Sequence, residues 1–340
     1  LRLKPEPHDS VMEELLGILN SRGYAAVMSE LDRINNPHLE DDFHRLLVQY
    51  KRDGHPINGL TSDDPMHKAL GFVLFEISIT VSDGAKQQSV QDVFNAMEQF
   101  YRSFIAFQSL PNPIFFKDWR KRKTIHKEYF VMELAVAGGG EEAIFYMAVP
   151  RARQEIFEKQ VLSIFPRARV NEHKDDYNIF NQFGAVAVSE AQYVRAAPLP
   201  LRHADGFPSD PLNVTLAAFS RITKEGEGAA LQLVVMSAGD YHKNKIRNAY
   251  DDIQKGDKPS KVYEKYKFSS KDPLWRRGAP EAVKSVQDAL KEKKKDDAKS
   301  ADSIASEQIS KKLKSPIVGV NMRLIASART EERAQAILSD

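Results

Sequence analysis

Six residues stand out for the chemistry their types allow. Lys117, Trp119, Arg120, Lys121, Arg122 and Lys123 crowd into "FKDWRKRK", and Lys127 follows close behind. Cations at this density neutralise phosphates, and a Trp among them stacks on nucleic-acid bases. The same stretch also reads as a solvated, charged loop ahead of a strand. A second stretch, "KALGFVLF" at residues 68–75, puts Lys68, Gly71, Phe72, Val73 and Phe75 on the pattern of RNA-recognition strands. That pattern needs aromatics at its stacking places, and Leu70 holds the first of them. It also needs an upstream strand of its own, where this sequence reads as helix. The expectation is an ordinary strand, with Val73, Phe75, Ile77 and Ile79 facing a core.

Other residue types carry less. Gly138, Gly139 and Gly140 resemble a phosphate loop, but the Lys-Ser/Thr of a P-loop is missing and the triplet joins two strands. A hairpin turn is the better account. His38 and His44 are six apart, off one helical face. His173 beside Asp175 and Asp176 has metal-ligand chemistry, yet reads as the surface end of a strand. There are no cysteines, so a Cys nucleophile, a disulfide scaffold, a Cys-held zinc and an iron–sulfur cluster are all excluded. No serine sits in G-x-S-x-G, and H-E-x-x-H and G-x-G-x-x-G are absent. No catalytic residue, cofactor or metal is assigned, and these residues are not expected to form an enzyme.

The elements that must position these residues follow from periodicity. Residues 9–50 read as amphipathic helices, with Leu15, Leu19, Val27, Leu31, Ile34, Phe43, Leu46 and Leu47 inward. "GFVLFEISIT" alternates as a strand, and "SVQDVFNAMEQFYRSFIAF" repeats aromatics at helical spacing. "YFVMELAVA" and "AIFYMAVP" flank the glycines. "RARQEIFEKQVLSIFP" is a helix with Ile156, Phe157, Val161, Ile164 and Phe165 inward, and "ARVNEHKDDY" a further strand. "FGAVAVSEAQYVRAAPLPL" reads as a long strand. "SDPLNVTLAAFSRI" is a helix with Asp210 as N-cap and Pro211 first. Strand "EGEGAALQLVVMSAG" and helix "DYHKNKIRNAYDDIQK" come next. Residues 256–303 form a polar, charge-mixed excursion, partly disordered by composition. A helix, the strand "PIVGVNMRLIASA" and a final helix capped by Thr330 close the sequence.

The fold class expected is α+β: ferredoxin-like β-α-β units with mainly antiparallel sheets, behind a small helical N-terminal segment. Three regions are expected: 1–60 helical, 65–180 a first α+β unit, and 181–340 a second unit carrying the insertion at 256–303. The composition is ordinary for a chain that buries a core, at 42% hydrophobic and 28% charged. A net charge of +2 does not by itself imply a polyanionic partner. No apolar run reaches the roughly 20 residues needed to cross a bilayer. The sequence opens on Leu1 rather than Met, as a piece of a longer protein would, with any membrane anchor outside it.

The succession "FEISIT", "AMEQFYRSF", "EYFVMELAVAGGGEEAIFYMAVPRARQEIFEKQVLSIFPRARV", "DPLNVTLAAFSRI" and "ISKKLKSPIVGVNMRLIASARTEERAQAIL" resembles the N-terminal region of type IV secretion and conjugation ATPases of the HerA–FtsK superfamily. The resemblance spans about residues 65–340 and rests on order and pattern. In that family the region precedes a P-loop motor. Here the sequence stops at Asp340, where the motor would begin, and no nucleotide-binding residue carries over. The resemblance implies a non-catalytic domain of a DNA- or protein-translocation ATPase. It implies protein partners in a secretion or conjugation complex, contact with DNA, homo-oligomers formed through the motor, and a bacterial, cytoplasmic position peripheral to the inner membrane. The alternative is a stand-alone nucleic-acid-binding protein of ferredoxin-like fold.

Overall fold

The computed structural model of the chain describes residues 9–62, 64–79, 95–103, 128–137, 142–173, 178–191, 198, 201, 211–222, 226–237, 239–266 and 298–339. The first part is helical: α1 (Asp9–Arg22), α2 (Tyr24–Ile34), α3 (Pro37–Arg52) and the short α4 (Pro65–Ala69). Gly23, at φ 86°, separates α1 from α2 with a backbone that side chains disfavour. Asn35 ends α2 in the left-handed region. Asn36 then starts α3, its side-chain oxygen accepting from the N–H of His38 at 3.1 Å and of Leu39 at 3.2 Å. The apolar stripes bury Leu15, Leu19, Val27, Leu31, Phe43 and Leu47 in one cluster. Ile34 departs from the expected inward stripe and is 46% exposed. It is the last residue of α2, where the chain turns away through Asn35.

Next come β1 (Phe72–Ile79), a helix over residues 95–103 (α5), β2 (Tyr129–Val136), β3 (Ile144–Pro150), α6 (Gln154–Ile164) and β4 (Ala168–Glu172). The strands lie in the order β4-β1-β3-β2, every neighbour antiparallel. With the chain order β-α-β-β-α-β, this matches the split pattern expected of a ferredoxin-like unit. Alternation sends Val73, Phe75, Phe130, Met132, Met147, Val149 and Ala168 to one face, which Phe100 of α5 and Phe157 and Val161 of α6 cover. Phe75 is 1% exposed, with its ring 5.0 Å from that of Phe157. Phe72 lies on the opposite face, 4.8 Å from Tyr129. The likeness of 68–75 to an RNA-recognition strand is therefore ordinary strand packing. Ile156 was expected inward but is 36% exposed. It sits one residue, about 100° of rotation, off the Phe157–Val161 stripe that meets the sheet.

The remaining elements are β5 (Ala185–Glu190), α7 (Pro211–Phe219), β6 (Gly228–Ser237), α8 (Gly239–Gln254), α9 (Pro259–Lys265), α10 (Ala298–Lys314), β7 (Val318–Ala328) and α11 (Glu331–Ser339). Of the long strand expected at 183–201, regular pairing covers only β5, and 192–197 lie outside the described residues. Asp210, the expected N-cap of α7, is also outside them, whereas Pro211 does open the helix. Thr330 caps α11, its hydroxyl accepting from the N–H of Arg333 at 3.3 Å. Of the excursion at 256–303, α9 and the start of α10 are helical, and 267–297 lie outside the described residues.

β2 and β6 pair antiparallel along their lengths, so both sets of strands join in one seven-stranded sheet, β4-β1-β3-β2-β6-β7-β5. The molecule is α+β with a mainly antiparallel sheet behind a helical N-terminal segment. α7 and α11 cover the same face as α5 and α6: Phe219 packs with Val136 and Ala229, and Ala334 with Ala187 and Ala328. The two halves correspond about a twofold-like axis between β2 and β6. β1, β2 and β3 match β5, β6 and β7, while α5 and α6 match α7 and α11. Where seven residues separate β2 from β3, the second half has α8, α9 and α10 between β6 and β7. Among the described residues β4 has no counterpart there.

Candidate functional site

The densest meeting of ionisable groups among the described residues lies between α3 and the sheet face opposite the helix layer. The pattern His38, Asp41, Asp42, Arg45 repeats at three- and four-residue spacing, which lines these side chains along one side of α3. His38 Nδ1 is 2.9 Å from Asp42 Oδ2, Arg45 pairs with Asp42 Oδ1, and Arg45 Nε is 3.4 Å from Asp41 Oδ2. Asn178 Nδ2 donates to Asp42 Oδ1 at 2.9 Å. From the sheet, Glu133 of β2 accepts a hydrogen bond from Gln232 Nε2 of β6 at 2.7 Å. Tyr146 of β3 is 2% exposed and meets the His173 ring edge-on at 5.1 Å. His173 Nδ1 lies 3.5 Å from Glu76 Oε2 of β1.

The electrostatics follow from this crowding of carboxylates. Burial pushes the Asp41 carboxyl from 3.8 up to about 6; Arg45 opposes the shift, and Asp42, Glu133 and Glu40 add to it. Burial, with Glu76 and Glu133 adding to it, pushes the Tyr146 hydroxyl up to about 12. Nearby, burial holds the His44 imidazole below its ordinary range, although Glu40 pulls the other way. Its Nε2 is 3.2 Å from the Tyr24 hydroxyl, and that hydroxyl is itself raised to about 12, chiefly by burial.

Residues 178–184 form a strap across this face. Ile179 is buried with Ala135, Tyr146 and Ala230. Asn181 donates from its backbone N–H to Ser327 Oγ and from Nδ2 to the Gly226 carbonyl, both at 2.8 Å. Asn36 Nδ2 donates to the Gln182 carbonyl at 3.2 Å, tying the start of α3 to the strap. At the far end of α3, Arg52 pairs with Glu172 of β4 at 3.1 Å. Across this seam run the Arg52–Glu172 ion pair and the hydrogen bonds of Asn36 and Asn178, whereas the pairs among His38, Asp41, Asp42 and Arg45 lie within α3, and Asp41, which titrates near pH 6, faces the like charge of Glu133.

The residues singled out from sequence are placed as follows. Lys117, Trp119, Arg120, Lys121, Arg122 and Lys123 lie outside the described residues, as do Gly138, Gly139, Gly140, Asp175 and Asp176. The strands on either side of the glycines pair antiparallel. His173 is corrected: its side chain is 14% exposed, not a surface strand end. Its backbone N–H continues the ladder to the Leu74 carbonyl at 2.8 Å, which turns the ring onto Tyr146. Sequence reading missed Asp41, Asp42, Glu133 and Gln232. The available signals were the acidic ridge of α3 and a lone Glu in the apolar run "YFVMELAV". Among the described residues no three His, Asp or Glu converge as a metal site, and no helix is long and apolar enough to cross a membrane. No family model, curated protein or solved structure matches the chain.

Proposed function

We propose that these residues are a non-catalytic N-terminal domain of a DNA- or protein-translocation ATPase of the type IV secretion and conjugation kind. In this reading the domain serves assembly and contacts with protein partners, inside a homo-oligomer that sits in the cytoplasm at the inner membrane. The observation that carries the reading is the succession of elements from β1 to α11, two split β-α-β halves with a long polar excursion in the second. The seam adds to it. The Arg52–Glu172 pair and the side-chain amides of Asn36 and Asn178 hold α3 to β4 and to the strap, contacts that suit a scaffold.

The decisive experiment is to read the gene past the codon for Asp340. A phosphate-loop signature within about one domain length supports the proposal. A stop codon directly after Asp340 overturns it. Purified as it stands, the chain with Mg-ATP is expected to release phosphate only at background rate, since the loop and lysine that would hold the nucleotide are absent from its sequence.

A further inference from the structure

The helical segment and the sheet keep separate cores. Among the described residues, the buried apolar cluster of α1–α4 draws only on residues 11–70, and those of the sheet only on residues from Val73 onward. Leu70 closes the first core and Val73 opens the second, so the link between them is Gly71 and Phe72. The Gly71 carbonyl accepts from the Arg151 N–H at 3.0 Å, which fixes the sheet side of that link. Hinges are a few residues of this kind at the end of an element. The contacts that cross from α3 are polar. Arg52 meets Glu172 at 3.1 Å, Asn36 donates to the Gln182 carbonyl at 3.2 Å, and Asn178 donates to Asp42 Oδ1 at 2.9 Å and to the His38 carbonyl at 3.4 Å. Units of one chain move against each other unless the interface between them is large and apolar.

The middle of the seam sets like charges against each other. Asp41 faces Glu133 of β2, and on its own helix it meets Glu40, Asp42 and Arg45. Glu133 stands opposite Tyr146 on one side and Gln232 on the other, and it accepts from Gln232 Nε2 at 2.7 Å. The cation beside Asp41 is Arg45, which belongs to α3 and travels with it. Lifting α3 therefore parts Asp41 from Glu133, keeps it with Arg45 and returns it to water. Each of these changes favours separation while Asp41 is ionised, and none of them does once it is protonated.

We propose that α1–α4 is a detachable cap, which swings off the sheet as one unit about the Gly71–Phe72 link, and that the charge of Asp41 against Glu133 sets how firmly it docks. The direction follows from linkage. Burial and the neighbouring carboxylates raise the Asp41 carboxyl from 3.8 to about 6 in the docked state. The docked state thus binds the proton more tightly. Its extra stability is complete below about pH 4 and is lost as the pH rises through about 6. Acid closes the cap and neutral pH loosens it. The inference rests on the seam alone and stands whether or not the chain belongs to a translocation motor.

The sequence has no cysteine, so two can be introduced as labelling sites without background. Arg33→Cys on α2 and Lys159→Cys on α6 replace side chains that are 80% and 73% exposed, one on the cap and one on the sheet's helix layer. Distances between spin labels at these sites are read in the full chain at pH 5 and pH 8. A single docked distance is expected at pH 5. At pH 8 a second, broader population is expected, the docked-to-undocked ratio falling about fivefold. Asp41→Asn is expected to give the pH 5 pattern at both values. Glu133→Gln is expected to do so in part, and to add little on top of Asp41→Asn. His38 and His173 also meet carboxylates near the seam, so the variants are compared at one pH as well as across pH. Amide exchange within α1–α3, corrected for its intrinsic pH dependence, is expected to be the same at both values, because the cap moves intact. Identical distance distributions at pH 5 and pH 8 overturn the detachable cap. Faster corrected exchange throughout α1–α3 at pH 8 means that the helices melt rather than swing, and overturns it too. A pH response that survives in Asp41→Asn overturns the assignment to Asp41.

Discussion

Asp41 shows how one residue reports on a whole seam. Its carboxyl titrates near pH 6 in the folded protein and near 3.8 when free of it. The folded state therefore binds the proton more tightly, and ionisation costs stability. That cost is complete above about pH 6 and is gone below about pH 4. Asp41→Asn is thus expected to raise stability at pH 7, with the gain vanishing as the pH falls to 4. The side chain is 36% exposed, so solvent screening holds the gain to about 1 kcal/mol. Urea melts at pH 7 and pH 4 check it, and an equal effect at both values contradicts the burial of this charge. Phe75 is the opposite kind of residue, apolar and 1% exposed against Phe157. Phe75→Ala is expected to cost about 3–5 kcal/mol with no pH dependence, because it leaves a cavity between β1 and α6.

The strap at 178–184 ties more elements together than its length suggests. It reaches α3 through Asn36 and Asn178, and the β6–β7 side through Asn181. Its closeness to the sheet depends on two glycines. A Cβ on Gly228 would stand 2.1 Å from the Ile179 carbonyl oxygen, and one on Gly184 would stand 2.1 Å from that of Ala328. Both obstacles are backbone, so the strap itself has to move. Gly228→Ala is expected to destabilise by about 1–3 kcal/mol. It should also speed amide exchange across 178–183 more than in β1 or β3. Uniform exchange throughout the sheet would mean that the strap is not separately held.

For the whole molecule, the open choice lies between protein contact and nucleic-acid contact. Net charge is only +2, so a nucleic acid would have to be held locally, and residues 117–123 carry five cations in seven positions. A chain that holds duplex DNA there has a steep salt dependence, about 0.9 log units per phosphate neutralised. Changing Arg120, Lys121 and Arg122 to Ala is expected to flatten that slope by roughly two to three units. Binding isotherms at several salt concentrations read it directly. A slope that is the same in both chains leaves protein contact as the better account.

Local patterns in the sequence carried much of the fold. The two-residue alternation of "FVLFEISI" placed Phe75 in the core, and caps such as Thr330 set helix starts through their nearest neighbours alone. Glycines flanked by alternating strands marked the β2–β3 pair. Each of these signals acts over a few residues, so each is legible in a linear reading. Tertiary structure decided the rest. Alternation says which face a side chain takes but not which strand lies beside it, so the joining of two halves along β2 and β6 was invisible. Ile34 and Ile156 are apolar at helical spacing, yet their exposure depends on where the neighbouring element ends. The seam brings Asp41 within reach of Glu133, more than ninety residues away, and raises its pKa by burial that no local pattern records.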